Sequence, residues 1–163
     1  MIALNIPDVK NFMSKLLVQG VFDSFLLVEA ELLCGIGYTI RGRRNREWYE
    51  KEELLELSEV EYTSLGEQRG LLYQLIKGKK PPQSMKLVLL LPKENTKRFL
   101  EEIEREKDGE TIEGLFLNLR YEKGEISLTT GTSLTVFTMD KTIDNGWDEW
   151  VKRFLTNLEI VVE

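Results

Sequence analysis

Arg41, Arg43, Arg44 and Arg46 crowd into one short stretch, and Trp48 and Tyr49 follow directly. Guanidinium groups at a strand end and loop can contact phosphates, each neutralised phosphate steepening the salt dependence of binding. An indole and a phenol beside them offer a stacking platform for unpaired bases. Lys77, Lys79 and Lys80 form a second basic run, which extends the same surface if the two halves of the chain pack together. The competing reading is a solvated loop whose arginines pair with Glu47, Glu50 or Glu52.

Other chemistry is narrower. The chain has no histidine, which excludes the common zinc sites and every His-dependent triad. Cys34 is the single cysteine, so there is no internal disulfide; between Leu33 and Gly35 it reads as a buried, inert thiol. Asp140, Asp144, Asp148 and Glu149 invite a calcium reading, but Asn145 stands where that loop needs glycine and Val151 where it needs glutamate. Asp144 is better read as the N-cap of a last helix, with Asp148 and Glu149 in its first turn. Gly35-Ile36-Gly37 lacks the third glycine of a dinucleotide fingerprint. Thr129-Thr130-Gly131-Thr132-Ser133 could hold a phosphate, yet such hydroxyl runs are common on exposed strand ends. No carboxylate pair is isolated in a cleft. The expectation is a chain that is not an enzyme, with no cofactor and no metal.

The elements that must position these residues follow from periodicity and punctuation. Met1 to Ile6 reads as a strand, and Pro7-Asp8 opens a helix with Val9, Phe12, Met13, Leu16 and Leu17 on one face, closed by Gly20. Ser24 to Cys34 and Tyr38 to Arg43 read as two strands around a glycine turn. A short helix is expected between Trp48 and Leu57, while Leu71 to Ile76 fits helix or strand. Gly78-Lys79-Lys80-Pro81-Pro82 is the connector. Met85 to Leu91 is a buried-type strand, and Pro92 starts a helix with Phe99, Leu100 and Ile103 inward. Leu115, Leu117, Leu119 and Tyr121 alternate along the next strand, and Lys123-Gly124 turns it into Glu125 to Thr130. Ser133 to Thr138 is expected as a further strand. From about Asp144 to Leu158 an apolar stripe of Trp147, Trp150, Val151, Phe154, Leu155 and Leu158 predicts a helix. Core packing is the main reading of that stripe; the other makes Trp147 and Trp150 a partner surface.

Length and charge bound the rest. A chain of 163 residues, 42% of them hydrophobic, suits one domain with a real core. Its 22 basic and 28 acidic residues leave a net charge of −6, which argues against a protein coated in nucleic acid; the basic runs are nonetheless segregated from the acid in Glu47 to Glu61 and Glu101 to Glu113. No apolar run approaches the roughly 20 residues that span a bilayer, so the expectation is no membrane and a cytoplasmic location. The expected fold class is α+β: residues 1–163 as a single domain of two βαβββ-like pseudo-repeats, about 1–80 and 84–163. These form antiparallel sheet or sheets with helices on one side, plus the C-terminal helix.

Two resemblances add to this. The whole chain resembles a small bacterial family known only as a domain of unknown function, through Asn5-Ile6-Pro7-Asp8-Val9-Lys10-Asn11-Phe12-Met13, Leu75-Ile76-Lys77-Gly78-Lys79 and Gly114-Leu115-Phe116-Leu117-Asn118. Lys86 to Leu91, the helix after it and Gly114 to Asp140 are similar to one unit of a DNA sliding clamp domain, the hairpin Asn118 to Thr130 above all. Lys80-Pro81-Pro82 stands where the clamp segment has its aromatic. The clamp resemblance implies a non-enzymatic binding module whose Arg41, Arg43, Arg44, Arg46, Lys77, Lys79 and Lys80 converge on one face toward nucleic acid. The alternative is a protein-interaction or assembly domain that does not bind nucleic acid. Oligomeric state is left open.

Overall fold

The computed structural model describes residues 1–57 and 60–163; Glu59 of the acidic run lies outside them. Alternating apolar residues build the sheet. β4 (Ser84–Leu90) buries Met85, Leu87 and Leu89, and β5 (Ile112–Glu122) buries Leu115, Leu117, Leu119 and Tyr121. β6 (Glu125–Leu134), β1 (Ala3–Ile6), β2 (Leu26–Leu33) and β3 (Gly37–Arg41) complete one six-stranded sheet in the order β1-β6-β5-β4-β2-β3. Every pairing is antiparallel. One face of the sheet is dry; the other carries Glu31, Lys86, Arg120 and Ser127 in one row, as a solvated antiparallel face should.

Among the described residues five α-helices accompany the sheet: α1 (Val9–Ser14), α2 (Lys51–Leu57), α3 (Leu65–Ile76), α4 (Lys93–Glu102) and α5 (Thr142–Asn157). The fold is therefore α+β, as the alternation and the 3.6-residue stripes predict. α3 settles the ambiguous Leu71 to Ile76 as helix: Ser64 accepts from the Glu67 N–H, and the Glu67 carboxylate returns to the Ser64 N–H, a complete capping box. α1 runs on as a π-helical turn, Lys15–Gln19, and Gly20 at φ +68° closes it. No helix among the described residues is long and apolar enough to cross a membrane.

One expected strand is absent. Ser133 and Leu134 are the end of β6, and 135–140 leave the sheet. The reason is the length of the neighbour: β5 begins at Ile112, opposite Leu134, so no ladder remains for later residues. Each half thus runs β-α-β-β before its next helices rather than βαβββ. The strands of the second half are contiguous in the sheet. Those of the first are divided, β1 beyond β6 and the β2–β3 hairpin beyond β4.

The core is joined by rings. Trp147, Trp150 and Phe154 of α5 stack along the helix, with centroids 5.0 and 5.2 Å apart. Phe22 and Phe25 meet Phe154 at 5.6 and 5.5 Å, Phe12 meets Phe22 at 5.7 Å, and Phe99 meets Trp147 edge-on at 6.0 Å. Lys15 is a charged residue inside: its ammonium donates to the Leu158 carbonyl and, at 3.2 Å, to that of Glu159, capping the C-terminus of α5.

Gly42 governs where the β2–β3 hairpin opens. A Cβ there would lie 1.6 Å from the Leu27 carbonyl oxygen, a backbone atom with no freedom to yield. Gly42→Ala is therefore expected to lose more than about 3 kcal/mol in urea unfolding. At Gly70 of α3 a Cβ meets nothing within 4 Å; Gly70→Ala is expected to gain about 0.5–1 kcal/mol. Equal stability of the two variants would remove the close approach as a constraint.

Candidate functional site

The arginine stretch is shaped by the opening at Gly42. Gly42 N–H still donates to Val28 O at 2.9 Å, but its carbonyl accepts from Thr63 N–H at 2.8 Å, and Thr63 O accepts from Leu27 N–H at 2.8 Å. Residues 61–64 thereby enter between the two strands, and Arg44 N–H donates to Glu61 O at 2.8 Å. This brings acid to the arginines from far along the chain. Arg43 pairs with Glu61 and lies 5.4 Å over the Tyr62 ring. Arg44, only 10% exposed at its side chain, grips both Glu67 oxygens at 3.0 and 2.9 Å and donates to the Tyr49 hydroxyl at 3.3 Å. Arg43 and Arg44 thus pair with Glu61 and Glu67 rather than with Glu47, Glu50 or Glu52, because the intruding segment and the capping box of α3 bring those carboxylates to them.

Arg41 ends β3 on the solvated face, opposite Glu29, and Arg46 is exposed in the 3₁₀ turn Arg46–Trp48. Trp48 stands 74% exposed with its ring edge-on to Tyr49 at 5.3 Å. The lysines lie elsewhere. Lys77, Lys79 and Lys80 are exposed just before Gln83, whose N–H donates to Leu33 O at 2.7 Å. Leu33 and Val28, the positions that mark the two clusters on β2, are about 17 Å apart at strand rise. The basic runs occupy opposite ends of the β2–β3 hairpin and do not form the single face expected.

The tryptophan surface is likewise corrected. Trp147 is 0% exposed, its indole N–H donating to Phe116 O at 2.9 Å, and Trp150 is half-buried between Trp147 and Phe154. The stripe that attracted a partner reading is the core itself. Cys34 is half-buried at the hairpin turn rather than enclosed.

The hydroxyl run and the aspartates meet in one shallow cavity of about 230 Å³, lined by Met1, Thr130, Thr132, Lys141, Asp144 and Asp148 among others. α5 starts at Thr142, so Asp144 is not its N-cap; Asp140 accepts from Thr142 N–H at 2.9 Å. Asp144 instead accepts the Thr132 hydroxyl, and the buried Asp148 accepts that of Thr130 at 2.5 Å. An entering phosphate would face two carboxylates whose hydroxyl neighbours are already committed. Among the described residues no third acidic or cysteine ligand joins them for a metal.

What spacing missed is the loop after β6. Phe137 is 92% exposed and Met139 80%, with Val136 beside them. Their alternation imitates a strand, and the only available signal was that β5 has no residues left to pair with them.

The chain belongs to a family of unknown function (DUF5721), whose family model matches residues 15–163. No curated protein and no solved structure matches it.

The Arg44–Glu67 pair carries a pH test. Burial, the largest single influence, pushes the Glu67 carboxyl up, but hydrogen bonds from Thr63 and Arg44 outweigh it and hold it below 4.5. A depressed carboxylate stabilises the fold fully above its unfolded value and loses that contribution as pH falls through the folded one. Glu67→Gln keeps a capping-box acceptor and removes the charge. It is expected to cost about 1 kcal/mol near neutrality, given the half-exposed acid. That corresponds to a melting shift of about 2–4 °C, and the gap should close below pH 4.5. A pH-independent difference would mean the charge is not what matters.

Proposed function

We propose that this chain is a non-enzymatic binding module whose partner is another polypeptide, engaged through the loop between β6 and α5. The observation that carries this reading is Phe137, 92% exposed on a loop fastened at both ends. Thr135 N–H donates to Thr111 O at 2.8 Å where the loop leaves the sheet. At the far end Asp140 accepts from the Thr142 hydroxyl at 2.6 Å and from its N–H, and pairs with Arg105. Those Thr142 hydrogen bonds, with Arg105 after them, bring the Asp140 carboxyl down to about 2. The anchor therefore stays charged through mild acid. A tethered loop loses little freedom on docking, and aromatic and methionine side chains are favoured at interface centres.

Position supports the same reading. The loop leaves the end of the sheet at which β3 delivers Trp48, and Leu55 of α2 is also exposed. β6 and β3 stand four strand spacings apart, roughly 19 Å. A catalytic reading has less behind it. Two concavities among the described residues, about 230 and 190 Å³, are smaller than the roughly 300–1,000 Å³ of ordinary ligand sites.

Nucleic acid is the second reading, favoured by exposed Arg41 and Trp48 at that same end. It ranks below a polypeptide because Glu61 and Glu67 answer Arg43 and Arg44, and because the lysines lie at the other end.

A photo-crosslinking amino acid in place of Phe137, in cells of the native host, tests the proposal; the same probe at exposed Lys10 is the control. A discrete protein adduct is expected at 137 alone, and lost when Met139→Asp is added. No adduct, or one unchanged by Met139→Asp, overturns the assignment. Salt-sensitive binding of single-stranded DNA that disappears in Arg41→Glu/Trp48→Ala would transfer it to nucleic acid.

A further inference from the structure

The two edges of the sheet are treated differently. β1 is covered by the end of the chain: Asn5 N–H donates to Glu163 O at 3.0 Å and Glu163 N–H to Asn5 O at 2.9 Å. β3 has no such cover among the described residues. Its pairing with β2 is bracketed by Cys34 N–H to Ile36 O at 3.0 Å and Gly42 N–H to Val28 O at 2.9 Å. In an antiparallel ladder hydrogen-bonded pairs alternate, so Tyr38 and Ile40 turn their backbone groups toward β2. Gly37, Thr39 and Arg41 turn theirs outward. β3 also lacks the proline or lysine with which exposed edges are commonly guarded.

These outward positions are symmetric about Thr39. We infer that β3 pairs antiparallel with β3 of a second copy of this chain, around a two-fold axis at Thr39, joining two sheets into one. In that register Thr39 faces Thr39 and each Gly37 faces Arg41 of the other copy. No like charges stand directly opposite, and the arginine meets no side chain. On the helix-covered face, where Tyr38 and Ile40 are half-buried against the core, each Tyr38 faces Ile40 of the other copy. Aromatic against β-branched is a favoured cross-strand pair, and the non-hydrogen-bonded positions these residues occupy bring side chains closest. A foreign strand could use the same backbone groups. The matched residues argue for self-pairing, since a C₂ interface must be self-complementary. Because one strand pair covers less than the roughly 1,200 Å² of a standard interface, the dimer should dissociate on dilution.

The test uses the full chain in sedimentation velocity over a wide concentration range, with amide exchange by NMR. A monomer–dimer equilibrium is expected. The amides of Gly37, Thr39 and Arg41 should gain protection on concentration, while those of Tyr38 and Ile40 are protected throughout. Thr39→Pro removes an outward N–H and leaves the β2 ladder intact; losing the central pair of bonds should weaken association roughly a hundredfold. Thr39→Lys and Thr39→Asp should each be monomeric with unchanged thermal melting, and mixed they should form a heterodimer. A monomer at every concentration, a dimer indifferent to these variants, or no recovery on mixing overturns the inference. None of these readouts involves Phe137, so failure here leaves the proposed polypeptide site standing.

Discussion

Everything in this molecule hangs on the stacking of Trp147, Trp150 and Phe154 along one face of α5. Rings three and four residues apart share one helix face, and here that face is turned onto Phe22, Phe25 and Phe99. Phe22 and Phe25 come from the approach to β2, and Phe99 from α4. One helix therefore holds elements from both halves of the chain in a single core. Truncating a buried ring of this size typically costs about 3–5 kcal/mol, a large share of a domain's net stability. α5 is also tied to the sheet and to the turn that follows α1. Asp148 accepts the Thr130 hydroxyl from β6, and Lys15 caps the last carbonyls.

That arrangement dictates the rest of the surface. With helices committed to the dry face, the opposite face of the sheet must be polar, and it carries charged and hydroxyl side chains strand by strand. The edges then become the exposed backbone. The segment released by α5 returns to β1, where Glu163 pairs with Asn5, which leaves β3 as the edge whose pairing groups are spare among the described residues. The same helix fixes where the Phe137 loop emerges, because α5 must begin where its first turns reach Thr130 and Thr132.

Much of this was legible in residue order, and the failures have a common cause. The alternation from Leu115 to Tyr121 and the stripe from Trp147 to Leu158 are local patterns. Each gives its element and its buried face correctly because burial alone decides them. Ser133 to Thr138 alternates as well, but whether it is a strand depends on how far β5 extends on the other side of a hairpin. The arginines pose the same problem in charge: Glu67 lies 23 positions from Arg44, so its arrival cannot be read from neighbours. The lysines were expected beside the arginines, and the register of Gln83 with Leu33 places them at the other end instead. What was missed in these three is non-local pairing.

The arginine cluster shows why density of charge is a poor guide to a ligand. Placing Arg44 at 10% exposure removes its guanidinium from most of its water, so a carboxylate must accompany it. Glu67 is available because the capping box already holds it at the first turn of α3. The same carboxylate thus caps a helix, accepts the Thr63 hydroxyl and neutralises an arginine. These three roles converge on the segment that splits β2 from β3, and Arg43 and Arg44 are what that junction requires. Phe137 has no comparable obligation: it is 92% exposed, yet both ends of its loop are fastened. Under the proposed function, that exposed ring on a fastened loop, rather than the arginine cluster, is where a partner would dock.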